Sequence, residues 1–351
     1  MAVRNIIAFL ALFGLALNVH AELRKFDMTI EEFDLEVAPS LTTKVWAYDG
    51  QVPGPLIHVK EGDTVEVHLT NNTTMSHTIH WHGIYQTGTW QMDGVPDVSQ
   101  RAIEPGEEFT YRFVADKPGS IWYHCHVNTA EHIDLRGMWG PLIVDPKNPT
   151  ELEKRVTKDA ILMFSGWVSA VAQEYGKNGL PGREFDYFSI NGKAHPHNQP
   201  LRVKKGDVLR LRLYAPTTPV AFHLHGHDVL VTHKDGLPIE PYAADVVPML
   251  PGERYDLIVE MNNPGIWMVH DHIEHHTTSA GKEGGGSMLV VEYEGVEHPD
   301  WYMWKDLEYD PNFYMSESLK KGYGKHNNPS FLGFDPTQPR PAAKKAAGHG
   351  H

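Results

Sequence analysis

Four landmarks in this sequence occur twice, in the same order and at nearly constant spacing. Lys60-Glu-Gly-Asp63 returns as Lys204-Lys-Gly-Asp207, an offset of 144, and Pro105-Gly-Glu107 returns as Pro251-Gly-Glu253, an offset of 146. His80-Trp-His82-Gly83 returns as His223-Leu-His225-Gly226 at 143, and Trp122-Tyr-His124-Cys-His126 as Met268-Val-His270-Asp-His272 at 146. Such self-similarity restricts the fold to two copies of one unit, each of about 100–200 residues. The expected division is a domain over 22–150 and a second over 151–296, joined near Asp145 to Arg155, with a C-terminal extension over 297–351. Within that extension, Glu317 to His351 is rich in Lys, Gly, Pro and Ala and reads as a loosely ordered tail.

Each unit is written in short strands. Asp63-Thr-Val-Glu-Val-His-Leu-Thr70 and Asp207-Val-Leu-Arg-Leu-Arg-Leu213 alternate polar and apolar residues, as half-buried strands do. Val, Thr, Tyr and Trp cluster in such runs between Pro-Gly and Asn-Asn breaks, and no long helical period precedes the tail. The class predicted is all-β. The start reads as a secretory signal: Arg4, an apolar run from Ile6 to Val19, and Val19-His20-Ala21 as the cleavage site, so that 1–21 is removed. The apolar run is shorter than the ~20 residues a spanning helix needs, and no later run suffices. The mature chain is therefore expected to be exported, periplasmic or secreted, with no membrane span.

The formal net charge of −14 excludes nucleic acid as a partner held by its phosphates. The sequence carries 23 His and one Cys, a ratio that excludes an intrachain disulfide and points to metal. In a strand, residues i and i+2 share a face, roughly 6.6 Å apart along the chain. His80/His82, His124/His126, His223/His225 and His270/His272 each aim two imidazoles at one volume. Cys125, between two of those His, leaves the opposite face, and His77 stands at an odd offset from His80 and shares that side. His132 and Met138 lie downstream. Two His, one Cys and a weak Met form the ligand set of a blue-copper centre. The offsets map His77 to Val220 and Cys125 to Asp271, so the second unit has no such centre; His275 and His276 there read as structural or as supports to neighbouring ligands. The other His, among them His58, His68, His195, His197, His227 and His233, have no spacing that demands a metal. Asn71-Asn-Thr73 is a sequon of use only in a glycosylating host, and otherwise reads as a turn.

These residues resemble the copper signatures of multicopper oxidases, the laccase superfamily. The matching segments are His77-x-x-His80-Trp-His82-Gly83, His124-Cys-His126, and His132 with Met138; His80 through Asp93-Gly94 is similar to the first laccase copper motif. A blue centre in the first of two domains resembles two-domain bacterial laccase-like oxidases. The resemblance implies tandem cupredoxin-like Greek-key β-sandwich domains and four coppers per chain. His77, Cys125, His132 and Met138 would hold the type 1 copper, and His80 with His223 the type 2. His82, His124, His126, His225, His270 and His272 would hold the type 3 pair, with Asp93 orienting water or relaying protons. One departure stands out: laccases place the blue-site His five residues after Cys, whereas His132 is seven after Cys125. The implied activity couples one-electron oxidation of a reducing substrate, a phenol or a small redox protein, to reduction of dioxygen to water. It also implies a homotrimer with clusters between subunits. Two alternatives stay open: a copper nitrite reductase, whose catalytic Asp stands where this chain has His80, and a non-enzymatic copper-binding protein, for which His349 and His351 are further donors.

Overall fold

A computed structural model describes residues 21–169, 185–305 and 313–315. The predicted signal segment and the tail from Glu317 lie outside the described residues, apart from Ala21. The described residues are nearly all β, with one short α-helix, Thr129–His132, and no helix among them is long and apolar enough to cross a membrane.

The two halves repeat the same strand pairings. In the N-terminal half, Leu23–Ala38 runs parallel to Thr64–Asn71, which pairs antiparallel with Glu108–Val114. In the C-terminal half, Lys158–Trp167 runs parallel to Val208–Tyr214, which pairs antiparallel with Arg254–Glu260. The facing sheets match as well. Ile57–Lys60 is parallel to Trp139–Asp145, as Leu201–Val203 is to Met288–Tyr293. His80–His82 pairs with Gly119–His124, as Val220–Leu224 pairs with Ile266–Asp271. Alternation explains the stacking: Val65, Val67 and Leu69 are buried while Thr64, Glu66 and His68 are partly exposed. Each half thus closes an apolar core between two sheets, a cupredoxin-like β-sandwich.

The halves are fastened to each other. A third apolar cluster joins Trp122, Trp139 and Ile143 of the first half to Ile161, Met163, Trp167 and Tyr214 of the second. Beside it, buried Arg212 donates to Ser120 Oγ at 2.9 Å and pairs with Asp159 and Asp256. A buried cation with two carboxylates and a hydroxyl in reach is satisfied, whereas removing either acid would leave it uncompensated. The extension predicted after 296 is partly packed: Phe313 and Tyr314 join the C-terminal core, and Tyr302 and Trp304 form a small cluster with Val290.

Candidate metal centre

The strand register brings the paired imidazoles together. His80 stands opposite His124 in the first half, and His223 opposite His270 in the second. Because i and i+2 share a face, His82 and His126 follow onto one side, and His225 and His272 onto the other half's equivalent. Ring centroids within the first quartet are 5.1 to 5.9 Å apart. In the second they are 5.0 to 5.7 Å apart.

Hydrogen bonds decide which nitrogen faces inward. His80 Nδ1 lies 2.7 Å from the Asp93 carbonyl, and His223 Nδ1 lies 3.0 Å from that of Asp245. His124 Nδ1 is 2.9 Å from the Cys125 carbonyl, and His270 Nδ1 is 3.0 Å from that of Asp271. A carbonyl only accepts, so each Nδ1 carries the proton and each Nε2 presents a bare lone pair. Those lone pairs converge: His124 Nε2 is 3.4 Å from His82 Nδ1, and His270 Nε2 is 3.1 Å from His225 Nε2. The donor atoms of His80, His82 and His124 lie within 4.8 Å of one another, as do those of His223, His225 and His270. Burial, aided by the Arg254 cation, pushes His82 down to about 3, and burial with neighbouring His80 holds His124 well below the usual imidazole range. His82 and His124 are therefore neutral at pH 7, the form that binds metal. Asp93 touches His80 through its side chain too, Oδ1 standing 3.4 Å from Nδ1.

Behind the first quartet, on the opposite face of the same strand, lies a trio. Cys125 Sγ is 3.1 Å from His132 Nδ1 and 3.8 Å from His77 Nδ1, and the two nitrogens are 3.3 Å apart. All three are buried, as is Met138, which shares their apolar cluster with Cys125. The sequence did not point to Thr73 as a partner of this trio. Its hydroxyl donates to Asn71 Oδ1 at 2.8 Å and so must accept from His77 Nε2 at 2.7 Å. That fixes the His77 proton on Nε2 and turns a bare Nδ1 towards the sulfur. The signal available was an Asn-x-Thr four residues before a His. Asn71 is accordingly no exposed turn residue but the buried end of a strand, bonded to the Met75 and Ile103 carbonyls.

The C-terminal half keeps the backbone of this trio without its chemistry. Cys125 N bonds the Met138 carbonyl and Met138 N bonds that of His132; Asp271 N bonds the Ser287 carbonyl and Ser287 N bonds that of His276. His276 is therefore the counterpart of His132, and Ser287 that of Met138. Where the first half has a thiol, Asp271 Oδ2 lies 2.7 Å from His276 Nδ1, and its Oδ1 accepts from Ala221 and Ile273. His276 also stacks on Phe188 at 4.0 Å between centroids. His275 stands beside it, and among the described residues neither belongs to a cluster of three or more metal-binding side chains.

Burial pushes His77 down to about 3, with His132 adding to it, and burial pushes His132 down to about 4. Both folded values lie below the unfolded one near 6.5, so between pH 6.5 and about 4 the unfolded chain binds more protons. Metal-free protein should therefore lose stability as pH falls through that window, by about 1–2 kcal/mol for each imidazole between pH 6.5 and 5. Urea denaturation of the apo protein at both pH values checks this, and equal midpoints would contradict it.

A multicopper oxidase family model matches residues 29–149, and a second multicopper oxidase model matches residues 169–281. One similar solved structure, a multicopper oxidase, is 59% identical with a TM-score of 0.81, covering 88% of this chain and 98% of its own. The blue copper oxidase from Nitrosomonas europaea is 54% identical with a TM-score of 0.80, covering 86% of this chain and 95% of its own. Laccase-6 of Oryza sativa subsp. japonica is 32% identical over 283 residues, 72% of this chain and 47% of the relative. This chain spans about half the length of the curated relatives it matches.

Proposed function

The chain belongs to the multicopper oxidase family, and on that premise we propose that it is an exported oxidase passing single electrons from a reducing substrate to dioxygen. The observation that carries this reading is the pairing of one buried His-Cys-His trio with two clustered quartets of imidazoles. The donor set fits copper: a thiolate with two imidazoles suits a blue centre, and neutral imidazoles alone suit the other ions. His77, Cys125 and His132 hold the type 1 copper, with Met138 as its weak ligand. His80 and His223 hold the type 2 copper, and His82, His124, His126, His225, His270 and His272 the type 3 pair. Bound copper supplies one-electron storage at four ions, which together match the four electrons that convert dioxygen to two waters.

The protein's own contributions are spacing and protons. Cys125 is peptide-linked to His124 and His126, so a continuous covalent path joins the trio to the first quartet. Asp93, through its carbonyl and carboxylate, orients His80 and stands ready to carry a proton beside it.

The eight imidazoles complete one cluster only if the quartets meet. Among the described residues, imidazole ring contacts run within each quartet and none runs between them. His225 and His272 are exposed on the surface of the single chain. We therefore assign the cluster to an interface between the domain over 22–150 of one chain and the domain over 151–296 of the next. A heterologous contact of this kind closes into a ring, here a homotrimer. Export rests on Arg4 and the apolar run before Ala21.

Copper analysis joined to oxygen uptake tests the reading: about four coppers per chain and oxygen consumption with a phenol or another one-electron donor are expected. About two coppers per chain with turnover of nitrite would instead mark a nitrite reductase. Copper without turnover would mark a binding protein.

A further inference from the structure

The trio is sealed. His77, Cys125 and His132 are 0%, 0% and 1% exposed, and His132 Nε2 is buried with no hydrogen-bond partner among the described residues. No donor in solution can touch either imidazole. What lies against both is the indole of Trp46, edge-on to His132 at 4.8 Å and to His77 at 5.4 Å between ring centroids. Among the described residues no other aromatic ring, the two imidazoles themselves apart, contacts the trio's imidazoles.

Trp46 is fixed from three directions. Its Nε1 donates to Glu32 Oε2 at 3.0 Å, the residue opposite it in the strand register. Its backbone N–H donates to the Arg136 carbonyl at 3.0 Å. The Arg136 guanidinium lies 4.8 Å from the ring centroid, a cation–π contact. Outside the indole the surface is charged: Lys44 bridges Glu32 at 3.0 Å and Asp34 at 3.6 Å, and Arg136 pairs with Glu131 at 3.2 Å. A single ring thus separates a charged, solvated rim from the buried ligand set, and its π-system is in contact with both imidazoles. An aromatic ring in such contact couples donor to acceptor far better than an empty gap.

We propose that Trp46 is the electron-entry residue of this chain. An outer-sphere one-electron reductant docks on the rim formed by Glu32, Lys44 and Arg136, and its electron crosses the indole to the metal held by His77, Cys125 and His132. The donor loses one electron and that metal gains it; no bond or proton changes at Trp46. The inference rests on the copper assignment above, and it narrows the donor to one that reacts without contacting an imidazole.

The test uses the fully metallated full chain as native protein, Trp46→Leu, Trp46→Phe and a control, Trp301→Leu, at an exposed site away from the trio. Hexacyanoferrate(II) serves as a donor too large to enter any space that the substitutions open. Three quantities are read: the blue absorption band, the reduction potential of that band, and the anaerobic bleaching rate after mixing. The expected result is an unchanged band and potential, with bleaching about tenfold or more slower in Trp46→Leu, less so in Trp46→Phe, and native in the control. Bleaching of Trp46→Leu within about twofold of native, with its band intact, would overturn the proposal. So would a slowing fully accounted for by a shifted potential. If Trp46→Leu fails to bind copper, native bleaching in Trp46→Phe overturns it instead. A native protein with no blue band is a different outcome, which sinks the copper assignment itself.

Discussion

Cys125→Ser removes the blue absorption of the metallated protein and lowers oxygen uptake by about three orders of magnitude or more. The side chain is fully buried, and burial pushes its thiol up to about 11. The thiolate therefore forms when a metal displaces the proton, as a coordinating cation does outright. A serine hydroxyl has nearly the same shape and none of that acidity or softness, so the trio is left with two imidazoles and no anionic ligand. The backbone on either side is unaltered, because Cys125 N bonds the Met138 carbonyl and the side chain plays no part in the strand pairing. His124 and His126 keep their places, and the copper of the quartets remains. Optical spectra, copper analysis and an oxygen electrode on one preparation separate these effects. A Cys125→Ser protein that turned over at near-native rate would show that electrons reach dioxygen without the trio.

Much of this arrangement was legible because two periods coincide. The alternation of a strand put His80 with His82 and His124 with His126, and the duplication supplied the second quartet at matching offsets. The odd offset of Cys125 and His77 placed both on the other face, where the structure has them 3.8 Å apart. His132 was harder to place. It ends the short helix Thr129–His132, and a helix interposed after a strand erases the period-2 argument. Its distance from Cys125, two residues longer than laccase spacing, is taken up by that turn.

Other features depended on contacts between distant segments. The counterpart of His132 in the second half is five residues after Asp271 rather than seven, so the offset rule misses it. The ladder of backbone bonds through Ser287 finds it. Trp46 carries no motif, and only the crossing of the strand Leu41–Tyr48 over the trio gives it meaning. Asn71 and Thr73 read as a turn because local sequence cannot tell that Asn71 bonds the Met75 and Ile103 carbonyls and Thr73 a buried His. The part of the extension before Glu317 carried no motif, yet its aromatic pair Phe313 and Tyr314 packs into the C-terminal core.

Oxygen reduction requires the two quartets to meet across chains, and complementation measures that directly. His124→Ala damages the N-terminal quartet and His270→Ala the C-terminal one, and each protein alone should reduce no oxygen. Co-expressed with different affinity tags and purified through both, the two form mixed rings of three. In any such ring, one interface joins an intact N-terminal quartet to an intact C-terminal quartet, so about one third of native oxygen uptake should return. Mixed rings of confirmed composition that stay as inactive as their parents would contradict the shared site.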